Sequence, residues 1–291
     1  MNEPTIVFYG TPGHPVLEPF YQHVRERGRR RVAFATQGKF PRETGLCLGA
    51  GASDPSGWLQ LPYEDPIDLD DICGVCLDGY YVDPEALSDL DEADAAYAQT
   101  EIWATLIALF ARLARRPGCV VANHVTRREW VASRAAQQAF LSACGLRVPR
   151  TLITSDPAAA RDFHETCGGR TLYKPVTTPF AEFKAMGADD LDRLDALTLA
   201  PAHFEEPVDG EIAQCVVVGG QAFTLGASLP ESSKRHALET CQRLELTMGE
   251  VVFRLGDTPI ATTLRTHLSL EALQYAEVLE AATTLLEEGH L

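Results

Sequence analysis

The sequence predicts an α/β fold, an N-terminal parallel-sheet domain followed by two smaller α+β subdomains. Three observations predict it. Residues 5–9 (TIVFY) form a short apolar strand, followed by a turn at Gly10, Thr11, Pro12 and Gly13 and a helix over 16–27, the opening of a parallel βαβ unit. Residues 134–175 run as helix, short link, strand, helix, strand. Residues 213–218 and 221–227 are β-rich runs joined by Gly219 and Gly220, a hairpin and therefore antiparallel. The chain divides accordingly into 1–122, 123–202 and 203–291.

A chain of 291 residues buries enough surface for two or three subdomains. Its hydrophobic content of 45% and charged content of 23% are those of a soluble globular protein. The net charge of −16 argues against a nucleic acid or an anionic membrane as partner, since a duplex binder needs a basic footprint. It leaves room for a small anion held by a few local cations, for which Arg134, Lys174, Lys184 and Arg265 are candidates. The N-terminal residues show no basic-then-apolar signal, and the apolar stretch at 103–111 is too short for a bilayer. The eight cysteines are expected as reduced thiols of a cytoplasmic protein. Cys73 and Cys76 have the spacing of a metal pair but no second pair to complete it, which favours buried strand cysteines over zinc.

In chain order, residues 32–35 (VAFA) form a second strand after three arginines, and 36–66 are rich in Gly, Pro and Ser, with a strand at 58–61. Residues 72–77 (ICGVCL) read as a buried strand. The acidic run 83–94 suits a helix start, and 95–115 is a helix whose apolar face carries Ile102, Trp103, Leu106, Ile107, Phe110 and Leu113. Residues 119–123 give another strand.

The helix from Arg134 places Ala135, Ala139, Phe140 and Ala143 at helical spacing and stops at Gly145. Residues 151–154 (TLIT) form a strand. Ser155 caps the following helix with Pro157 in its first turn, Gly168 and Gly169 end it, and 171–175 (TLYKP) is the next strand. A lysine within an apolar strand must reach water or a charged partner. Lys174 therefore reads either as an edge-strand lysine with a solvated head or as a cation held over a phosphate.

The succession of cation, helix, Gly-Leu-x-Val-Pro-x-Thr, capped helix and a strand ending Lys174, Pro175 resembles the ATP-grasp superfamily, especially its ribosomal-protein-modification and peptide-macrocyclising ligases. The resemblance runs from about residue 120 onward and is strongest over 134–175 and 204–225. It implies ATP as cofactor, with phosphates held by Lys174 and by Arg134, which stands where the family carries a first lysine. It implies that Phe204, Glu205, Glu206, Pro207 and Val208 form the hinge strand that pairs with adenine, with Glu211 or Asp209 accepting from the ribose. The family's strand-end asparagine falls at Asn123, and its phosphate-covering loop at 177–180.

The resemblance also sets expectations for magnesium. The family's metal-binding aspartate, glutamate and asparagine fall at Val252, Thr263 and Arg265, on strands over 248–254 and 259–264, so the magnesium site is degenerate. Glu250, two residues before Val252, faces the same way on a strand and is the candidate metal ligand. Arg265 is the candidate catalytic cation, placed to neutralise phosphate, while Gln214 stands where the family usually has an arginine. A helix over 269–288, capped by Ser269, closes the chain.

The implied function is an ATP-dependent carboxylate–amine or carboxylate–hydroxyl ligase acting on a peptide through an acyl phosphate. Two readings compete with it: an ATP-grasp-like pseudoenzyme that binds nucleotide or peptide, and a dinucleotide enzyme built on Gly10 and Gly13. A peptide partner and a homodimer are both left open.

Overall fold

Strand β1 (Thr5–Gly10) is buried along its whole length, as a central strand of a parallel sheet covered on both faces must be. The computed structural model describes residues 3–49, 57–77, 84–122, 134–176 and 182–289; Asn123 and the 177–180 loop lie outside them. After β1 come helix α1 (Leu17–Arg27), which ends on Gly28 in the left-handed conformation, and strand β2 (Arg31–Thr36). A small antiparallel sheet follows, of β3 (Gly45–Leu48), β4 (Gly57–Gln60) and β5 (Ile67–Asp68). The sequence pattern reveals only β4, because a strand as short as GLCL among turn residues carries little periodicity. Strand β6 (Ile72–Leu77), helix α2 (Glu92–Arg115) and strand β7 (Val120–Ala122) complete a four-stranded parallel sheet of order β2-β1-β6-β7. Asp91 caps α2, its carboxylate accepting from the Asp94 N–H at 2.9 Å.

Side-chain alternation along β1 sends Val7 and Tyr9 to one face and Ile6 and Phe8 to the other. The first face packs on α2 through Leu106, Phe110 and Leu113. Contrary to the sequence pattern, Trp103 is not part of this contact and is 49% exposed.

The middle of the chain contains α3 (Arg134–Ala143), β8 (Thr151–Thr154), α4 (Pro157–Thr166), β9 (Leu172–Pro175), β10 (Lys184–Ala185), α5 (Ala188–Asp192) and β11 (Ala202–Glu205), a strand that runs across the expected 202/203 division. Its antiparallel sheet has the order β10-β9-β11-β8. Asp156, not Ser155, caps α4, accepting from the Ala158 N–H at 2.8 Å. Thr154 Oγ1 in turn accepts from the Asp156 N–H, which turns the aspartate into capping position.

The third subdomain contains β12 (Glu211–Val218), β13 (Gln221–Gly226), α6 (Glu231–Arg243), β14 (Met248–Leu255), β15 (Pro259–Arg265), α7 (Leu270–Leu273) and α8 (Ala276–Glu288). The strands form an antiparallel sheet of order β13-β12-β14-β15. The closing helix expected over 269–288 is two helices, because Tyr275 takes an extended conformation (φ −86°, ψ 117°); Ser269 caps the first, as expected.

Helix α8 returns to the start of the chain. Val278, Ala282 and Leu285 join Ile6, Phe8, Phe20 and Val24 in one core that also takes Val216 and Met248 from the third subdomain. The contact is closest at Gly74, where a Cβ would stand 2.4 Å from the Leu286 carbonyl oxygen.

Candidate functional site

The β9–β11 pairing sets Lys174 directly opposite His203, and directly opposed residues share a face. Alternation brings Glu205 to that face as well, and its other neighbour across β8 is Thr151. Tyr173 and Phe204 point to the opposite face, where Ala160, Leu194 and Leu197 bury them. The sheet is thus apolar on one side and carries a lysine, a histidine and a carboxylate on the other. Strand β9 lies inside the sheet, and Lys174 is only 6% exposed, so the reading of a solvated edge lysine is set aside.

Helix α3 covers this polar face. Its buried side chains are Gln137, Gln138 and Leu141; the alanines picked out by spacing are mostly outside, with Ala139 and Ala143 exposed. Burying two glutamines is tolerable only because each is hydrogen-bonded. Gln138 Nε2 donates to Glu205 Oε2 at 2.6 Å, and Gln138 Oε1 accepts from the Thr151 hydroxyl. Gln137 reaches the other subdomain: its Nε2 donates to the Leu264 carbonyl at 2.8 Å and its Oε1 accepts from the Leu264 N–H at 3.2 Å. The same Oε1 accepts from Arg134 Nη1 at 3.1 Å. One helix therefore stitches the two antiparallel sheets together, with Arg134 at its N-terminal end.

Arg134 grips Glu205 as a fork, Nε at 3.3 Å from Oε2 and Nη2 at 3.4 Å from Oε1. Lys174 Nζ sits 4.9 Å from the centre of the Phe183 ring, a cation–π distance. Phe183 meets His203 edge-on at 5.2 Å. Burial, then the Arg134 charge, lowers the Lys174 pKa, while Glu205 pulls it back up. Burial raises the Glu205 pKa against the opposing pull of Arg134. His203, buried and beside both cations, is pushed down to about 4 and is neutral at pH 7. Among the described residues two cations stand against one carboxylate here, an arrangement that favours an anion in a strongly acidic chain.

Around the end of β11, the Glu206 N–H donates to the Arg150 carbonyl at 3.0 Å and the Glu206 carboxylate pairs with the Arg150 guanidinium. Pro207 has no N–H, so the next N–H along the chain is that of Val208. Asp209 pairs with Arg170 at 2.7 Å on the surface, and Glu211 is exposed at the start of β12. Lys184 does not join the pocket. It opposes Tyr173 on the apolar-facing side and pairs with Asp190 at 3.0 Å.

In the third subdomain, Gln214, Val252 and Thr263 form one cross-strand row, and Glu250 stands opposite Arg265 in the next. Glu250 is fully buried. Its Oε2 accepts from Arg265 Nη1 at 2.8 Å and its Oε1 from the Ser269 N–H, so both oxygens already have donors. Gln214 Nε2 donates to Glu271 Oε2 at 2.7 Å. Among the described residues no three His, Cys, Asp or Glu side chains gather as a metal site, and these side chains do not fit magnesium. Cys73 and Cys76 lie on β6, half-buried and buried, and none of the eight cysteines is in a disulfide. Among the described residues no helix is long and apolar enough to cross a membrane.

Sequence reasoning missed Gln137, Gln138, His203 and Phe183. The signal available was the Gln-Gln pair on a helix just after the arginine, a polar pair that the alanine spacing masks.

A parallel N-terminal sheet followed by two antiparallel sheets that one helix ties together is the architecture of ATP-grasp ligases, and this chain has that fold. It superposes on a RiPP-associated ATP-grasp ligase of Chryseobacterium gregarium, solved with ADP and a leader and core peptide, with a TM-score of 0.83 at 15% identity over 100% of both chains. The macrocyclase MdnC of Microcystis aeruginosa MRC, solved with its precursor peptide MdnA, gives a TM-score of 0.81 at 16% identity, covering 97% of this chain and 99% of that one. The ATP-grasp ligase PsnB, solved with its precursor peptide PsnA2 and AMPPNP, gives 0.78 at 23% identity over 97% and 99%. No family model matches the sequence, and no curated protein matches it significantly.

Proposed function

We propose that the protein is an ATP-dependent ligase joining a carboxylate to an amine or hydroxyl of a peptide. The observation that carries this reading is the buried Lys174 beside half-buried Arg134 near the end of β11, in a fold shared with ligases solved with nucleotide and precursor peptide. Lys174 and Arg134 would hold phosphate, Glu205 would orient Arg134, the backbone near Glu206 and Val208 would meet the adenine, and Glu211 would accept from the ribose. Arg265 would face the phosphate end as a cation. In such a ligation the substrate carboxylate takes the terminal phosphoryl group of ATP, ADP leaves, and the amine or hydroxyl displaces phosphate from the acyl phosphate. The positive pocket lowers the cost of gathering that anionic charge.

A second reading rests on the third subdomain. Val252 and Thr263 bring no carboxylate to their row, and in the next row Glu250 is committed to Arg265 and Ser269. A protein with this arrangement would bind nucleotide or peptide without turning over. Calorimetry with ATP, with and without magnesium, on the parent and on Lys174→Ala tests both readings. Each charge-assisted hydrogen bond contributes about 1.5–3 kcal/mol, so the variant should bind ~10- to 100-fold more weakly. Absence of ATP binding in the parent under both conditions overturns the ligase and the nucleotide-binding form of the second reading, leaving peptide binding alone. Mass loss of one water from a carboxylate-bearing peptide, dependent on ATP, selects the ligase.

A further inference from the structure

Two arginines of this chain are held in the same way. Glu205 pins Arg134, and Glu250 pins Arg265, whose Nη1 lies 2.8 Å from Oε2. Both carboxylates are buried, Glu250 completely, and burying a carboxylate is tolerable only against charged or donating partners. The Ser269 N–H fills the other oxygen of Glu250. Arg265 itself stays open to solvent on one side, its side chain 36% exposed. A guanidinium has five N–H donors, and among the described residues nothing accepts from Nε or Nη2 of Arg265.

The two arginines are tied together through one atom. Gln137 Oε1 accepts from Arg134 Nη1 at 3.1 Å and from the Leu264 N–H at 3.2 Å, and Leu264 precedes Arg265 on β15. Helix α3 thereby links the strand that carries one cation to the other cation.

Magnesium is held by carboxylate oxygens together with phosphate. The row beside Arg265 offers Val252, Thr263 and the neutral amide of Gln214, whose Oε1 is buried and unpartnered. Glu271, which accepts from Gln214 Nε2 at 2.7 Å, is exposed. A dication entering here would meet the Arg265 guanidinium, with Glu250 already taken by it.

We infer that, given nucleotide binding as proposed above, Arg265 is the built-in counter-charge of the phosphate end, and the protein takes its nucleotide free of magnesium. Its unused fork of donors suits phosphate oxygens, which a guanidinium can meet two at a time. The bare polyphosphate brings the most negative charge to Lys174, Arg134 and Arg265. Magnesium bound to ATP cancels two of those charges and sets a dication against the guanidinium. Magnesium in solution therefore competes with the protein for ATP, and the antagonism is mutual.

Calorimetry of the full chain with ATP, in EDTA and in excess magnesium, tests this. ATP should bind in EDTA and at least ~tenfold more weakly in magnesium. Equal or tighter binding in magnesium overturns the inference and leaves the nucleotide reading standing. No binding in either medium removes the nucleotide reading, and this inference with it. Arg265→Gln should weaken metal-free binding ~10- to 100-fold. Because that change strands Glu250, Arg265→Gln combined with Glu250→Gln serves as the folding control and should show the same loss. Undiminished affinity for free ATP in the folded double variant overturns the inference. Val252→Asp with Thr263→Glu puts two carboxylates into the neighbouring row and should reverse the sign, so that magnesium tightens ATP binding. A response of the parent's sign in that variant also overturns it, since the donor set would not be what turns magnesium away.

Discussion

Arg134 and Glu205 come from helix and sheet 71 positions apart in the chain and close a forked ion pair, with Nε 3.3 Å from Oε2 and Nη2 3.4 Å from Oε1. The carboxylate offsets one of the two cations the pocket would turn to phosphate. Glu205→Gln keeps the side-chain shape and removes that offset. ATP should bind roughly tenfold more tightly, ~1.4 kcal/mol, by calorimetry. Weaker binding would show instead that holding Arg134 in place matters more than its partial neutralisation.

His203 makes the fold sensitive to acid. Its pKa is about 4 in the folded protein and about 6.5 in an unfolded chain. Between those values the unfolded state binds the extra proton, so stability rises with pH across this window and is fully present above it. Falling pH should cost on the order of 3 kcal/mol from this residue. Glu205, whose pKa is raised, offsets part of this loss at the acid end, because its folded form takes a proton more readily than its unfolded form. Urea unfolding at several pH values should show the slope, and His203→Gln should flatten it. An equal slope in the variant would assign the acid sensitivity elsewhere.

Lys174 carries a cost in the opposite range. Its folded pKa is lowered, so the charged form is disfavoured by folding, and stability recovers as pH rises through that pKa towards the ordinary lysine value. Lys174→Met, which keeps length and loses charge, should melt a few degrees higher at neutral pH while losing ATP affinity. A lower melting temperature would mean that the ammonium's own contacts outweigh its burial.

Gln137 acts as a surrogate strand residue for Leu264. Gln137→Leu strands one buried N–H and one buried C=O on β15, at about 1–3 kcal/mol each. Denaturant unfolding should register the loss, and ATP affinity should drop with it because Arg134 shares the same amide oxygen. A variant of unchanged stability would mean that α3 is held by other contacts.

The parts of this molecule legible in the sequence are those governed by local periodicity. Lys174 stands on a strand, a strand expected over 204–208 is found over Ala202–Glu205, and Gly219 with Gly220 turns a hairpin, all from patterns a few residues long. What was not legible depends on partners far away in sequence. Gln137 is buried because Leu264 offers it a backbone amide 127 positions away, which no helical-wheel argument contains. Trp103 sits at an apolar helical spacing yet faces outward, while Ile102, Leu106, Leu109, Phe110 and Leu113 fill the face that meets the sheet. The Ser155 and Asp156 ambiguity was local but turned on Thr154, whose hydroxyl settled which residue reached the helix N-terminus. For the candidate site, the placement of Lys174 on a strand was readable, whereas the histidine and the phenylalanine that set the lysine's surroundings were not.

Gly74 lets helix α8 lie on the parallel sheet closely enough that a methyl group would collide with the Leu286 carbonyl. Gly74→Ala should cost about 1–3 kcal/mol as an overpacked contact, measured by thermal melting, and an unchanged melt would show that the helix has room to lift. The same contact reverses the order in which a growing chain can mature. Domains usually fold as they leave the ribosome, first made, first folded. Here one face of the first sheet waits for a helix translated some two hundred codons later, so the earliest strands emerge with that face, Ile6 and Phe8 included, covered by α1 alone. A nascent chain stalled before residue 276 should be the form that chaperones hold and proteases cut.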